Sequence, residues 1–276
     1  MAEQQQNQFV EIVFSCVDDK FYKDEIILDH HSLARVISGE MKIIQADSTF
    51  LLGPGSTFLY PRNQPATVIK YPKDGQRFQS VSMKLTPERL KDFYTRNPFP
   101  TSLPRTDKIR HFEEHPLLVS FFASLMPYFD MSHALPPKMA DVKLEEAITI
   151  LRSIDPDIDG LLTDFKEPGK INLAEFMEKN YLFNLTLEKF SYLSGRSLTT
   201  FKRDFKKIFD TTPQKWLTHK RLQLAHYQLS EKQRRPVEVY FEAGFEDLSH
   251  FSFAFKKQFG YSPNSLLKRN QQAKAV

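Results

Sequence analysis

The carboxyl-terminal part of the chain contains a segment that recurs 50 residues later without a gap. The twenty residues from Leu198, LTTFKRDFKKIFDTTPQKWL, share eight identities with those from Leu248, LSHFSFAFKKQFGYSPNSLL. Upstream, LEKFSYLSG from Leu187 aligns with VEVYFEAGF from Val237 at the same offset. Self-similarity at a fixed period indicates that one supersecondary unit occurs twice. The repeat therefore restricts this region to two copies of the same small motif.

Each copy is predicted to be two helices joined by a turn. A glycine marks each turn, at Gly195 and Gly244. Ser197 and Asp247 are good N-caps for the second helices because their side chains can accept a hydrogen bond from a backbone N–H. We therefore expect two helix-turn-helix units.

The first unit is predicted at about residues 186–209 and the second at about 236–259, with a joining helix at about 213–231. A helix of that length measures about 27 Å at 1.5 Å per residue. This is comparable with the roughly 34 Å between successive major grooves on one side of a DNA duplex. One copy of the chain could therefore present two recognition helices to adjacent grooves.

The second copy contains six aromatic residues and two lysines within GFEDLSHFSFAFKKQFGYSP, residues 244–263. On a helix, Phe251, Phe255 and Phe259 fall on one face, as do the matching phenylalanines of the first copy. We interpret this ridge as core packing and not as a surface on which bases stack. The opposite faces carry these residues: Thr199, Lys202, Arg203, Lys206, Lys207, Ser249, Ser252, Phe253, Lys256 and Lys257.

Charge is distributed unequally along the chain. Residues 1–165 carry 18 basic and 23 acidic side chains, a balance of −5, whereas residues 166–276 carry 20 and 11, a balance of +9. An excess of positive charge in one domain is typical of binding to a polyanion. The alternative, a basic surface without a partner, remains open on charge alone. The FKEPGK stretch supports a linker at 166–171.

The sequence shows neither a targeting signal nor a set of cysteines that could form a disulfide or bind zinc. The single cysteine, Cys16, excludes a disulfide within the chain and a Cys-rich zinc site. The amino terminus lacks a basic start followed by an apolar run, and the longest apolar stretch, 117–126, ends at a proline. We expect a cytoplasmic protein that is neither secreted nor membrane-bound.

The amino-terminal half is predicted to be a β-domain. Short runs rich in Val, Ile and Phe are separated by turn signals such as Ser38-Gly39 and Gly53-Pro54-Gly55. Strands recurring every 8 to 12 residues or so predict an antiparallel barrel or jelly roll at 1–110. The pattern changes to helix at 111–165.

No metal site is predicted in the β-domain. His30 and His31 are adjacent, so in a strand only one can point into the barrel, and Glu40 is the remaining candidate ligand. A catalytic metal needs about three convergent protein ligands. We therefore expect neither a metal nor another cofactor.

Residues 172–270 resemble the DNA-binding domain of AraC/XylS-type transcription regulators. The resemblance lies in Arg221-Leu222 and Ala225 of the joining helix, and in a run in the second unit at matching spacing. That run comprises Gly244-Phe245, Phe251, Phe255-Lys256-Lys257, Phe259-Gly260 and Pro263. The resemblance implies sequence-specific binding to double-stranded DNA, and makes RNA polymerase a candidate partner. Asp210 departs from the family, which usually has glycine there.

The resemblance also implies roles for the exposed faces. The base-reading positions fall on these residues: Thr199, Lys202, Arg203, Leu248, Ser249, His250 and Phe253. The phosphate-contacting positions fall on these: Lys206, Lys207, Ser252, Lys256 and Lys257. Arg203 can form a forked contact with guanine, whereas the second set is largely apolar or weakly polar.

The stretch HHSLARVISGEMKI, followed by LLGPGSTFLYPRNQP, resembles the cupin-like regulatory domain of AraC-type proteins, in its ExsA-type form. This resemblance implies that the domain responds to a small effector or to a protein partner. The helices at 111–165 would dimerise the chain, pack the two domains together, or cap the barrel. The predicted fold class is therefore multidomain α+β: a cupin-like antiparallel β-barrel with accessory helices, then an all-α domain with two helix-turn-helix units.

Three other functions remain as alternatives. A cupin metalloenzyme with a DNA-binding appendage would need metal ligands that the sequence does not supply. Alkyl-transfer DNA repair would need reactive cysteines, and only Cys16 is present. A third possibility is a β-domain that only docks a partner or oligomerises; a core filled by its own side chains would favour it. A transcription regulator without enzymatic activity is the leading prediction.

Overall fold

The computed structural model describes residues 5–8, 11–18, 20–98, 106–129, 136–245 and 247–266. The chain divides into two compact units between residues 166 and 167. The predicted domain boundaries at 110, 165 and 171 remain predictions. Within the described ranges, no helix combines the length and the apolar character needed to cross a membrane.

The first unit contains ten strands and four helices among its described residues. In chain order the strands are β1 (Gln5–Gln8), β2 (Ile12–Val17), β3 (Tyr22–Ile26), β4 (His31–Ser38), β5 (Glu40–Ile44), β6 (Thr49–Leu52), β7 (Thr57–Tyr60), β8 (Ala66–Tyr71), β9 (Phe78–Leu85) and β10 (Arg110–Phe112). The helices are α1 (Pro87–Arg96), α2 (Pro116–Phe129), α3 (Pro137–Ile154) and α4 (Ile158–Leu162). The predicted antiparallel β-domain with accessory helices is confirmed.

The strands form two open antiparallel sheets and not a closed barrel. One sheet has the order β1-β2-β9-β4-β7-β10 and the other β3-β8-β5-β6. Among the described residues no ladder joins an edge strand of one sheet to an edge strand of the other. Over these residues both sheets are therefore open, and the expectation of a closed barrel is corrected to a sandwich of two sheets.

Alternation along the strands gives this unit two cores. Leu33 and Leu59 belong to the core formed with the helices, whereas their neighbours Ala34, Phe58 and Tyr60 belong to the core between the sheets. Successive side chains in a strand point to opposite faces, so the central strands of the larger sheet serve both cores. The helices cover its outer face and the smaller sheet covers its inner face.

The second unit is all-helical over its described residues. Its helices are α5 (Leu173–Asn180), α6 (Leu187–Leu193), α7 (Leu198–Phe209), α8 (Pro213–Ser230), α9 (Pro236–Glu242) and α10 (Leu248–Phe259). The predicted pair of helix-turn-helix units, α6–α7 and α9–α10, joined by the long helix α8, is confirmed. The expected N-caps are present: Ser197 Oγ accepts a hydrogen bond from Thr200 N, and Asp247 Oδ1 accepts one from His250 N.

Candidate nucleic-acid interface

Each recognition helix is fixed by a core of its own. Phe201 and Phe205 of α7 are fully buried, as are Phe251 and Phe255 of α10. At the start of α8, Trp216 packs on the first pair, with its ring centroid 5.7 Å from that of Phe205. The interpretation of the aromatic ridge as core is confirmed. Because α8 contributes to both cores, it joins the two units through packed side chains.

The outward face of α7 presents the predicted residues to solvent. Thr199, Lys202, Arg203, Lys206 and Lys207 are all exposed. The Arg203 side chain is 75% exposed and approaches the carboxylate of its neighbour Asp204, with 3.6 Å between the nitrogen and oxygen atoms. Thr199 lies in the first turn and the two lysines in the last turn. One helix face therefore combines polar groups near its start with cations near its end.

Behind this face, a network of charged residues stabilises the turn between α6 and α7. Arg196 Nε donates to Asp204 Oδ2 at 3.2 Å, and its Nη1 donates to the backbone oxygen of Ser194 at 2.6 Å. The hydrogen bond from Arg196 keeps the pKa of the Asp204 carboxyl below its usual range. Sequence reasoning missed this network, although an Arg directly before an N-cap Ser was a visible signal.

The outward face of α10 is less polar. Leu248, Ser249 and His250 are exposed, and Phe253 is 69% exposed, the highest value among the large hydrophobic side chains that the structure describes. The His250 ring lies edge-on to Phe245, with 5.8 Å between centroids. Near the other end, Lys256 and Lys257 are exposed and Ser252 is half-buried. The pair of lysines near the end is thus repeated in the two recognition helices, whereas Lys202 and Arg203 of α7 are replaced by Ser252 and Phe253 in α10.

The repeat is not gapless in three dimensions. The turn between α6 and α7 has four residues, 194–197, whereas that between α9 and α10 has five, 243–247. Buried Phe190 and Val239, which lie 49 positions apart, are therefore equivalent, whereas Phe201 and Phe251 lie 50 apart. The ungapped alignment upstream of the turn is wrong by one residue.

A buried arginine of α8 connects the loop before α6 to the turn between α9 and α10. Arg221 is 8% exposed, and its guanidinium donates to backbone oxygens of Tyr181 and Phe183 in the loop before α6. It also donates to the backbone oxygen of Gly244 in the second turn. The sequence marked Arg221 only by resemblance and did not indicate this contact set.

In the amino-terminal β-domain, the candidate metal ligands do not converge. His31 is buried, and its Nδ1 accepts a hydrogen bond from Arg62 N at 3.3 Å. His30 instead contacts Asp29 through its own Nδ1, and Glu40 pairs with Lys73. Within the residues that the structure covers, no group of three or more His, Cys, Asp or Glu side chains could hold a metal ion.

Two protein-family models match the chain. Residues 31–156 match the ExsA N-terminal regulatory domain, and residues 193–269 match a helix-turn-helix domain. The first match extends from β4 to the end of α3, and the second includes both recognition helices, α7 and α10.

Two curated relatives agree with these matches. The chain is 28% identical to the HTH-type transcriptional regulator ExsA of Pseudomonas aeruginosa over 246 residues, which cover 87% of this chain and 85% of that protein. It is 36% identical over 92 residues to the virulence regulon transcriptional activator VirF of Yersinia enterocolitica, covering 33% and 34% of the two chains. Among solved structures, apo ToxT of Vibrio cholerae aligns with 95% of this chain and 98% of its own, at 10% identity and a TM-score of 0.46.

Proposed function

Because this chain belongs to the AraC-type transcription regulators and carries an ExsA-type regulatory domain, we propose that one copy contacts duplex DNA through both helix-turn-helix units. Helices α7 and α10 would enter successive major grooves. The observation that supports this proposal is that two recognition helices joined by α8 each expose a pair of lysines in their last turn. Its 18 residues give a length of about 27 Å at 1.5 Å per residue, close to the groove spacing.

In this proposal α7 supplies most of the base recognition. Thr199, Lys202 and Arg203 face base edges, because they lie toward the start of the helix and are exposed. Arg203 can donate two hydrogen bonds to guanine O6 and N7, a contact worth roughly 1–3 kcal/mol of discrimination. Lys206 and Lys207 contact phosphates, which position the helix without reading sequence.

Helix α10 anchors the second groove with a weaker readout. Its base-facing residues are Leu248, Ser249, His250 and Phe253. Phe253 either packs on the methyl group of a thymine or makes no base contact, in which case this unit binds mainly to the DNA backbone. The phosphate contacts are assigned to Ser252, Lys256 and Lys257.

In this proposal the amino-terminal β-domain with its accessory helices is the regulatory module. It senses a small effector or a protein partner and changes how the helical unit engages a promoter. RNA polymerase and a second copy of the chain are the further partners proposed. The protein acts by binding, without catalysis of its own.

The test selects duplexes bound by the full chain from a random pool and then measures affinity across salt concentrations. Two matched variants separate the assigned roles. Arg203→Met should relax preference at one base position by about 1–3 kcal/mol. Lys207→Met should weaken binding to all sequences equally and reduce the salt slope by about one.

Selection that yields no preferred sequence would remove the proposal. If Arg203→Met and Lys207→Met behave alike, the division into base and phosphate contacts on α7 is wrong. Recovered sites should contain two conserved blocks about one helical turn apart. A single block would show that only one unit enters a groove.

A further inference from the structure

The guanidinium of Arg203 extends into solvent from the outward face of α7. Its side chain is 75% exposed, and its Nη2 atom lies 3.6 Å from Asp204 Oδ1. Within the described part of the chain, no other carboxylate oxygen lies within 4.0 Å of this guanidinium. A long exposed side chain samples many rotamers, so holding it in one orientation on DNA costs conformational entropy. A neighbour that orients it beforehand reduces this cost.

The carboxylate of Asp204 is anchored by two other cations. Arg196 Nε donates to Asp204 Oδ2 at 3.2 Å, and Lys170 Nζ lies 3.6 Å from the same oxygen. Asp204 follows Arg203 by one residue, or about 100° around the helix. Its side chain is 21% exposed, at the border between the outward and buried faces of α7. One oxygen thus contacts the anchoring cations, while the other faces Arg203.

Arg196 is in turn held by backbone atoms. Its side chain is 6% exposed, its Nη1 donates to the Ser194 oxygen at 2.6 Å, and its Nη2 donates to the Ile171 oxygen at 3.1 Å. Together with the hydrogen bond to Asp204, these contacts engage all three nitrogens of the guanidinium. A buried and fully bonded side chain of this kind has little rotamer freedom. Arg196 therefore fixes the Asp204 carboxylate relative to the start of α7.

The second helix-turn-helix unit lacks both members of the pair formed by Arg203 and Asp204. At the equivalent positions, α10 has Phe253 and Ala254. Ala254 packs against the core of its unit, so a unit of this type folds without a carboxylate at that position. The acidic side chain is present in the unit where an arginine precedes it. This correspondence supports a role for Asp204 in recognition by Arg203 and not in packing alone.

We propose that Asp204 is a positioning residue for base recognition, which orients the Arg203 guanidinium so that its fork donates to O6 and N7 of guanine. This inference rests on the proposed function, in which Arg203 reads that base. A guanidinium is planar and carries five N–H donors, so a carboxylate along one edge leaves another edge free for the base. The negative charge of Asp204 also repels phosphates. Asp204 therefore raises the preference for guanine and lowers the affinity for DNA in general.

The test compares the dissociation constants of full-length variants for two duplexes at one salt concentration. The first duplex is the selected site, and the second has an A·T pair in place of the G·C pair at which Arg203→Met loses preference. Asp204→Asn keeps the size of the side chain and removes its charge. Asp210→Asn is the matched control, since it removes an exposed aspartate charge at the end of the same helix. The double variant, Arg203→Met with Asp204→Asn, completes a double-mutant cycle.

Asp204→Asn should reduce the preference for the guanine duplex about 3- to 10-fold, within the range of coupling between neighbouring charged groups. Its affinity for the substituted duplex should equal or exceed that of the wild type, since a repulsive charge is removed. In the Arg203→Met background the same substitution should leave the preference unchanged. Asp210→Asn should leave it unchanged in the wild type. Asp204→Ala should repeat the loss, and it provides a second test should Asp204→Asn fail to fold.

An unchanged preference in Asp204→Asn would overturn the inference. Equal weakening on both duplexes would overturn it as well, because a purely structural role affects all sequences alike. So would a loss that persists in the Arg203→Met background, since Asp204 would then act independently of Arg203. Failure of this inference alone leaves the guanine preference dependent on Arg203 but not on Asp204. Failure of the proposed function appears as a selection without a preferred sequence, or as an Arg203→Met variant without any loss, and removes this inference with it.

Discussion

Arg221 of α8 and Gly244 of the second turn are in direct contact. The Arg221 Nη1 group donates to the Gly244 backbone oxygen at 3.3 Å, while the Nε atom would lie only 2.9 Å from a Cβ placed on Gly244. The turn has a φ of 78° at this glycine, in the left-handed region. The position therefore requires glycine for two reasons: backbone conformation and the space that the guanidinium occupies.

Gly244→Ala is expected to destabilise the helical unit by about 2–4 kcal/mol, because left-handed strain of roughly 1–2 kcal/mol adds to a steric clash. Unfolding in urea followed by the fluorescence of Trp216, the single tryptophan, reports on this unit. Gly260→Ala is the control: its φ is also positive, at 82°, but nothing lies within 4 Å of the added Cβ. Equal losses in the two variants would contradict a role for the Arg221 contact.

Asp210→Gly is expected to stabilise the helical unit by about 0.5–1 kcal/mol. Asp210 ends α7 with a φ of 50°, at the place where Gly260 ends α10. Glycine adopts this conformation without strain, and the change also removes a negative charge from a helix C-terminus. Asp210→Asn serves as the control, since it removes the charge and keeps a Cβ. If Asn gives the whole gain, the effect is electrostatic and the backbone argument fails.

Phe253→Arg is expected to alter the preferred duplex sequence in the half of the site read by α10. Position 253 of α10 corresponds to position 203 of α7. The change therefore places an arginine at this exposed position, as in α7, and arginine favours guanine. Repeated selection from the random pool measures the outcome. Tyr227→Arg adds the same charge at an exposed position of α8 and should leave base preference unchanged. Unchanged preference and affinity in Phe253→Arg would argue against any base contact there.

His31 is expected to make the first unit sensitive to acid. Burial lowers its pKa from 6.5 to about 3, so between these values the unfolded chain takes up a proton that the folded chain does not. The contribution of neutral His31 to the free energy of unfolding is therefore fully present above about pH 6.5. It decreases as the pH falls toward 3, by about 2 kcal/mol at pH 5.

His31→Asn should flatten this dependence, because an amide oxygen can still accept the hydrogen bond from Arg62 N and takes up no proton in this range. Calorimetric unfolding across the pH range measures the slope. Comparison above pH 7, where the imidazole is neutral in both states, isolates any packing cost of the substitution. An unchanged slope below pH 6 would show that His31 is not the group responsible.

Periodicity and local chemistry made the helical unit predictable. The spacing of Phe251 and Phe255 identified the buried face, and Ser197 and Asp247 identified where the recognition helices begin. These signals are local, because a helix face and an N-cap involve residues within a few positions of one another. The outward residues followed as the complement of the buried face.

The same locality explains the errors. Alternating strands predict a β-domain but not whether its edges meet, since closure depends on the stagger and tilt of all strands together. The extra residue in the second turn was hidden because the strong identities of the repeat lie after the turn, in α7 and α10. Neither feature is encoded in a short window of sequence.

The sequence by itself thus determined the two-unit organisation, the repeated recognition helices and the faces they bury. Only the tertiary structure decided which distant groups meet: Lys70 reaches Ser15 across 55 positions, and Arg221 reaches Gly244 across 23. Side-chain type shows that a lysine or arginine can donate hydrogen bonds. The packing of sheets and helices decides whether water, a neighbouring residue or a ligand accepts them, because burial removes water as the alternative partner.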